Sequence, residues 1–178
     1  MELPTQQKYS VTLRDDDVFE LTDKTKYFLD LVYPIPLLLS VIPKNLDIKL
    51  VGYIKQFDNI TIAQHGWDHV NRGDRYERAT DDELSWGKLM LQSAFGDKFK
   101  NVFVCPWNRY DRELKGYDYI LDYKNTIDFF KVNWYNKIVE KSSNKYLLTH
   151  HTHPNFKEDH WFALQILLDD ENIEWLGM

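Results

Sequence analysis

Cysteine is nearly absent from this sequence, in which Cys105 stands alone among 178 residues. No disulfide can therefore form within the chain, and Cys105, next to a proline, is better interpreted as a small buried residue than as a nucleophile. Long apolar runs are absent as well, since the longest, from Pro34 to Pro43, is shorter than the roughly 18 residues of a membrane span. Because Met1 to Thr5 also lack the basic and apolar segments of a secretory signal, we expect a soluble, cytoplasmic protein.

The sequence also has fewer basic than acidic residues. The chain has 22 lysines and arginines against 28 acidic residues, a net charge of −6. Sequence-independent binding to nucleic acid needs a basic surface, so this balance argues against that class of function. The length suits a single domain, residues 1–178, and no linker, repeat or low-complexity segment divides it.

Strand and helix patterns alternate along the chain. Alternating or continuous apolar runs predict the strands Tyr9–Leu13, Ile35–Ile42, Ile60–Ala63, Val102–Val104, Ile127–Val132, Tyr146–Thr149 and Ile173–Leu176. Apolar spacing and capping residues predict the helices Leu21–Val32, Ile48–Phe57, Thr80–Phe95, Arg112–Tyr123 and Glu158–Leu168. Alternation of this kind implies parallel pairing and an α/β architecture.

Polar segments follow four of the predicted strands, at the point where each strand ends. They are Arg14–Asp17, His65–His69, Pro106–Tyr110 and His150–His153. In parallel α/β sheets and barrels the carboxyl ends of the strands meet at one edge, where binding and catalytic residues collect. We therefore expect these four segments to converge on one site.

Two histidines, His65 and His69, lie four residues apart at the end of a predicted strand. Imidazole is the commonest protein ligand for zinc and its neighbours. Because Gly66 lies between them and the preceding run is strand-like, we favour a loop or first-turn setting for the pair. A catalytic metal usually takes three protein ligands, and Asp15-Asp16-Asp17 offers a carboxylate on another strand end. Taken alone, that acidic triplet suits an ordinary turn equally well.

Two further segments supply candidate side chains. The strand that ends at Thr149 is followed by three histidines, His150, His151 and His153. One of them is a candidate third ligand, and one, since imidazole titrates near neutral pH, a candidate general acid. A corner of proline and aromatic residues after another strand is typical of a rigid cleft wall. The candidate substrate-binding residues are Trp67, Trp107, Asn108, Arg109 and Tyr110.

The order of these segments resembles that of the polysaccharide deacetylases, the carbohydrate esterases that share the NodB homology domain. An acidic pair after the first strand, a H-x-x-x-H segment, a proline-aromatic corner and a late Leu-x-His strand follow one another from Thr12 to His153. The resemblance implies a distorted (β/α) barrel, often incomplete, with fewer than eight strands. It also implies a metal-dependent hydrolase that removes an N-acetyl or O-acetyl group from a carbohydrate or sugar conjugate.

The resemblance also implies roles for individual residues. In this family the first acid of the pair is the catalytic base, and the second acid and both histidines bind the metal. Carried over by position, Asp16 is the base, and Asp17, His65 and His69 are the ligands. The late Leu-x-His segment implies His150 as the general acid, with His151 as an almost equal candidate. The implied metal is Zn2+, with Co2+, Ni2+ or Fe2+ as alternatives, since ligand type constrains the metal only loosely.

The sequence departs from the family pattern at three places. The first motif usually runs Phe-Asp-Asp-Gly, whereas the triplet Asp15-Asp16-Asp17 leaves the register open by one residue. The third motif normally has an arginine that holds the catalytic aspartate, and Val104 stands in its place, with Arg14 or Arg109 as candidate substitutes. The aspartate that tunes the catalytic histidine has no clear match. Its candidate stand-ins are Asp128 and the Asn133-Trp134 pair.

Three other interpretations stay open. Two histidines and a carboxylate also form the facial triad of non-haem iron(II) oxygenases. A sugar-binding relative that has lost catalysis is a second interpretation, which the missing arginine favours. The third is a plain α/β domain with an incidental histidine cluster, and it predicts no bound metal.

Overall fold

A parallel sheet flanked by helices forms the frame of the molecule, for which the computed structural model describes residues 8–124, 126–129 and 145–178. The strands are β1 Tyr9–Val18, β2 Leu37–Val41, β3 Ile60–His65, β4 Phe99–Val104, β5 Tyr119–Leu121, β6 Thr126–Asp128, β7 Lys145–Thr149 and β8 Ile173–Trp175. The helices are α1 Asp23–Val32, α2 Ile48–Ile54, α3 Asp81–Phe95 and α4 Glu158–Leu168, with short 3₁₀ turns at Gly96–Lys98 and Pro106–Asn108.

The strands pair in parallel throughout the described part of the chain. Their order is β5-β4-β3-β2-β1-β7-β6, and β8 joins the start of β1. Among the described residues no pairing joins β5 to β6, so the curled sheet does not close. The fold is a distorted, incomplete (β/α) barrel, which confirms the predicted fold class.

Each face of the sheet buries its own apolar cluster, because successive residues of a strand point to opposite sides. Leu13, Leu39 and Ile62 share the larger cluster with Phe28 of α1 and Leu50 of α2. A smaller cluster on the barrel interior consists of Leu38, Ala63, Val102, Val104 and Leu121. The helices thus cover one side of the sheet, and the interior side is left for polar groups at the strand ends.

Side-chain caps fix where two of the helices begin. The Thr22 hydroxyl accepts a hydrogen bond from the Thr25 backbone N–H at 3.0 Å, at the start of α1. A capping box opens α3: Thr80 Oγ1 accepts from the Glu83 N–H at 3.2 Å, and the Glu83 carboxylate accepts from the Thr80 N–H at 2.7 Å. The predicted start at Thr80 is confirmed, whereas α1 begins at Asp23, two residues after the predicted Leu21. None of the helices in the described ranges has the length and apolarity that crossing a membrane requires.

Two predicted elements differ from the structure. The predicted helix Arg112–Tyr123 is wrong, because this segment is irregular until β5 begins and Gly116 has a φ of 81°, outside the helical region. Strand β1 runs on to Val18 rather than ending at Leu13, since it keeps pairing with both neighbours through Asp15. The acidic triplet therefore lies within the strand. The predicted end of the fifth strand, at residue 132, lies outside the described residues.

Candidate active site

Three of the predicted ligands meet at the carboxyl ends of β1 and β3. One ligand atom from each of Asp17, His65 and His69 lies within 4.8 Å of the other two. Asp17 Oδ1 is 3.0 Å from His65 Nε2 and 3.1 Å from His69 Nε2. Two imidazoles and one carboxylate that leave further positions open are a donor set of catalytic zinc sites.

The surroundings of His65 fit a metal ligand. Its Nδ1 lies 3.1 Å from the Val104 carbonyl oxygen, which can only accept, so the ring donates there. The lone pair of Nε2 is then directed toward Asp17 and His69. A backbone carbonyl behind a ligating imidazole is the usual outer support of a metal site, because it fixes both the tautomer and the ring plane. These residues therefore fit a divalent metal such as zinc, cobalt, nickel or iron.

Asp16 and Asp17 both reach the site because the alternation of β1 breaks between them. Asp17 has a φ of 65°, in the left-handed region that non-glycine residues rarely adopt. The pairing register with β2 shifts between Asp15 and Val18 as well. In a regular strand Asp15 and Asp17 would share a face. Instead Asp15 turns toward α1, and Asp17 joins the histidines.

Arg14 holds Asp16 in place. Its Nε donates to Asp16 Oδ1 at 2.8 Å, and its Nη2 donates to Asp16 Oδ2. The same guanidinium donates to Asn108 Oδ1 at 2.9 Å and to Thr126 Oγ1 at 2.8 Å. Burial alone would raise the pKa of Asp16, but Arg14 and then His65 outweigh burial and keep that pKa below its usual value. Asp16 is thus a fixed, ionised carboxylate beside the three ligands.

The two late histidines point to opposite sides of the sheet. His150 Nδ1 lies 3.2 Å from Asp17 Oδ2, within the site. His151 Nδ1 instead lies 2.6 Å from Asp15 Oδ2, and its ring stacks on Phe28 with 4.5 Å between centroids. Because His151 and Asp15 are both fully buried under α1, the structure does not bring His151 to the site. This corrects its prediction as a general acid.

His69 and His150 both contact Asp17, and their pKa values are shifted in opposite directions. Burial, and then the neighbouring His65, lower the pKa of His69 to about 4, so His69 is neutral at pH 7, as a ligand must be. Burial also opposes the charged form of His150, but the hydrogen bond to Asp17 and the charge of Asp16 raise its pKa to about 9. His150 therefore carries a proton at neutral pH.

An aromatic residue of the third polar segment covers the ligands. The Trp107 ring lies 4.2 Å from the His69 ring, centroid to centroid. Trp107 and Asn108 have φ values of 52° and 57°, and the hydrogen bond from Arg14 to Asn108 holds this turn. The structure thus brings two of the five predicted substrate-binding residues to the site.

The other three predicted substrate-binding residues lie farther from the ligands. Trp67 and Tyr110 pack on a buried cluster of Ala79, Leu84, Phe103 and Cys105. Trp67 is thus partly buried against this cluster. Arg109 is exposed, so of the two candidate substitutes for the family arginine only Arg14 contacts Asp16.

Two clefts adjoin these residues. One of about 690 Å³ is lined by Asp17, His69, Phe19, Thr152 and His153, among others. The other, of about 1120 Å³, is lined by Trp107, Arg109 and Tyr110, and by Asp128 at the end of β6. Both are large enough for a sugar residue and part of its neighbour. The Asn133-Trp134 pair, the other predicted stand-in for the family aspartate, lies outside the described residues.

Solved structures identify the fold. The polysaccharide deacetylase Bc1974 from Bacillus cereus superposes with a TM-score of 0.64 at 14% identity, over 96% of this chain and 92% of that chain. A family 4 acetyl xylan esterase from Clostridium thermocellum, in complex with cobalt, gives a TM-score of 0.63 at 15% identity, over 94% and 87% of the two chains. The fold is that of the polysaccharide deacetylases.

The deacetylase fold also occurs without native activity. A mutant of a CE4 family pseudoenzyme, with restored enzymatic activity, gives a TM-score of 0.66 at 14% identity, over 95% of this chain and 65% of that chain. No family model and no curated protein matches the sequence. At such low identity the likeness establishes the deacetylase fold, and the chemistry has to be argued from the residues themselves.

Glu77 is a residue of this deacetylase fold that the sequence does not point to. Its Oε1 accepts hydrogen bonds from the backbone N–H groups of Trp67, Asp68 and His69, at 2.7, 2.6 and 2.7 Å. The side chain is buried, although it comes from an irregular, polar stretch that carries no ligand spacing or capping pattern. The role of this carboxylate is recognised only from its hydrogen bonds in the folded structure.

Proposed function

We propose that this chain is a metal-dependent hydrolase that removes an N-acetyl or O-acetyl group from a carbohydrate or sugar conjugate. One observation carries the proposal: the cluster of Asp17, His65 and His69 lies beside an ionised Asp16 that Arg14 fixes. The deacetylase fold supports the choice of substrate class, since solved structures of this fold include carbohydrate deacetylases and esterases.

Asp17, His65 and His69 are the residues that would hold the metal, with zinc as the first candidate and cobalt, nickel or iron as alternatives. When bound, the metal supplies Lewis-acid activation of the acyl carbonyl and of water, whose pKa such sites lower to about 7. The cobalt complex of the Clostridium thermocellum esterase supports a metal in this fold.

Asp16 is the proposed base, which takes the proton of the attacking water. A base must be ionised and must keep one orientation, and the two hydrogen bonds from Arg14 provide both conditions. Arg14 and Asp16 lie two residues apart on one strand, so their side chains share a face. Arg14 in this way takes the part of the family arginine, whose place is occupied by Val104.

His150 is the proposed general acid, which protonates the leaving amine or alcohol as the acyl bond breaks. The hydrogen bond to Asp17 and the charge of Asp16 raise the pKa of the imidazole to about 9 against the effect of burial, which favours the protonated form that a general acid needs. Water adds across the acyl bond, so the products are acetate and a free amine or hydroxyl. The Trp107 ring beside His69 offers a flat face on which a sugar can stack.

Metal content is the first test of the proposal. Protein purified without chelator or affinity tag is analysed by plasma mass spectrometry, for the wild type and for His69→Ala. We expect about one zinc or similar ion per wild-type chain and its loss in the variant, because two remaining ligands bind weakly. Metal in neither protein, even after zinc is added back, would rule out the hydrolase.

Acetate release from N-acetylated and O-acetylated sugars is the second test. We expect Asp16→Asn to keep the metal and to lose at least about 100-fold in rate, the typical contribution of a general base. Asp58→Asn, an exposed acid outside the site, is the matched control and should retain full activity. Full activity of Asp16→Asn would make the base assignment wrong. Sugar binding without acetate release would identify a binding relative, and turnover that needs oxygen and a keto acid would identify an iron oxygenase.

A further inference from the structure

The loop that carries His69 closes around a single buried oxygen. Three consecutive backbone N–H groups, of Trp67, Asp68 and His69, converge on Glu77 Oε1 at 2.6–2.7 Å. Consecutive N–H groups that point to one side form a concave donor site for an anion, and this protein fills it with its own carboxylate. The Glu77 side chain is only 1% exposed, so water cannot take its place without rearrangement of the loop.

Gly66 makes room for this carboxylate. A Cβ at position 66 would lie 2.7 Å from Glu77 Cδ and closer still to its Oε2, so a larger residue would displace the carboxylate. Gly66 also has a φ of 62°, which glycine adopts without steric cost. Glycine at position 66, between the two histidine ligands, thus leaves room for the carboxylate of Glu77, eleven positions further along the chain.

The contact with Glu77 holds the backbone of His69, one of the proposed metal ligands. His69 has a φ of 53°, a conformation that a non-glycine residue keeps only when its surroundings hold it. Its own N–H is one of the three that Glu77 binds. The outer side of the loop is held separately, by the ion pairs of Asp68 with Lys44 at 3.0 Å and with Arg72 at 2.6 Å.

The second oxygen of Glu77 points to a role beyond simple hydrogen bonding. Oε2 is buried and has no hydrogen-bond partner among the described residues. A buried, unpaired carboxylate oxygen costs folding free energy, which a neutral amide or a hydroxyl at this position would reduce. With three short bonds to one oxygen and the other oxygen unpaired, the side-chain contacts of this carboxylate are concentrated on these three N–H groups.

We propose that Glu77 is a positioning residue of the metal centre: it fixes the backbone of residues 67–69 and so sets the His69 imidazole opposite Asp17 and His65. The inference rests on the metal site proposed above. Glu77 does not touch the metal or the substrate. It acts through the His69 backbone, in the way that outer partners of metal ligands commonly fix the geometry of the ligands.

The test compares metal binding in Glu77→Ala, Glu77→Gln and Glu83→Ala with the wild type. Glu83 is the matched control, because its partly exposed carboxylate also accepts a backbone N–H, that of Thr80 at the start of α3, and none from residues 67–69. Zn2+ dissociation constants are measured by chelator competition, the visible spectrum is recorded with Co2+ bound, and thermal unfolding is followed on the metal-free proteins.

We expect the dissociation constant of Glu77→Ala to rise roughly 10–100-fold, with a changed cobalt spectrum, as is typical when an outer partner of a ligand is lost. Glu77→Gln keeps an acceptor oxygen for the three N–H groups and should recover most of the affinity and the wild-type spectrum. Glu83→Ala should lower the unfolding temperature and leave both metal readouts unchanged.

A wild-type dissociation constant and cobalt spectrum in Glu77→Ala would overturn the inference and leave the proposed metal site intact. If Glu77→Ala does not fold, Gly66→Ala provides the second test, since its Cβ displaces the same carboxylate. An unchanged dissociation constant in Gly66→Ala would likewise overturn the inference. Absence of metal from the wild type would remove the proposed function itself, and the two failures are therefore distinguishable.

Discussion

Four residues of the candidate site, Asp17, His69, Trp107 and Asn108, have left-handed backbone conformations, with φ between 52° and 65°. At the scale of the residue, each such conformation costs an L-amino acid roughly 1 kcal/mol or more. Side-chain and backbone contacts hold them: histidines around Asp17, Glu77 behind His69, and Arg14 at Asn108. The backbone geometry of these four residues therefore depends on those contacts. Variants of the supporting residues should disturb it.

Replacement of Arg14 by methionine tests the support of Asp16. The variant leaves a fully buried carboxylate without its partner, so we expect the free energy of unfolding to fall by about 3–5 kcal/mol. Urea denaturation of the metal-free protein measures this loss. Arg109→Met removes an exposed arginine and should change the free energy by no more than about 0.5 kcal/mol. Similar losses in the two variants would contradict the ion pair.

Cys105 offers a prediction that depends on pH. Burial, and then the charge of Asp122, raises the pKa of the thiol to about 12. We expect the folded protein to resist a disulfide labelling reagent at pH 8 and the protein unfolded in guanidinium to react at once, because only the thiolate attacks. A raised pKa also means that this group favours the folded state below about pH 9, an effect lost as the pH rises toward 12. Rapid labelling of the folded protein would contradict the burial.

At the scale of the element, cap chemistry decides where helix α3 begins. Thr80→Ala removes one half of the capping box, so we expect the free energy of unfolding to fall by about 1 kcal/mol. Ser93→Ala, an exposed position within the same helix, serves as the control and should be neutral or slightly stabilising. Chemical denaturation of both variants measures the difference. An equal effect at the two positions would argue against the cap.

Elements were also the part of the structure most open to prediction from the sequence. Thr80 and Glu83 predict the start of α3 within four residues, and the nearly all-apolar run around Leu39 predicts a buried strand. Local patterns fail where a tertiary contact decides: β1 continues through the acidic triplet because β2 and β7 pair with it. The predicted helix after Arg112 has helix-forming residues but meets Gly116 with a positive φ.

Some features of the candidate site can likewise be predicted from the sequence, and others cannot. Asp17, His65 and His69 are predictable as neighbours, because carboxyl ends of parallel strands meet at one edge. The orientation of a side chain past a strand end is not predictable, because it depends on single φ angles and on distant partners. His151 turned inward to Asp15, a residue 136 positions away in the sequence. Arg14 and Glu77 likewise gain their roles only from contacts formed on folding.

At the scale of the whole molecule, metal binding should appear as thermal stability. A ligand that binds only the folded state stabilises it by about 2.7 kcal/mol at one hundred times its dissociation constant. For a chain of this length we expect the Tm to rise by about 5–10 °C on addition of zinc. Scanning calorimetry measures the shift, and His69→Ala should show almost none. An unchanged Tm in the wild type at saturating zinc would contradict the site.

The central place of β1 in the sheet has a consequence for how the protein is made. β1 pairs with β2 on one side and with β7 on the other, and its first residues also pair with β8. Arg14 and Thr149, which share a hydrogen bond across β1 and β7, are 135 residues apart. During synthesis on the ribosome, one edge of β1 therefore stays unpaired until β7 emerges. An unpaired strand edge can pair with other nascent chains. The proposed site, which includes His150, is completed only after residue 150 has left the ribosome.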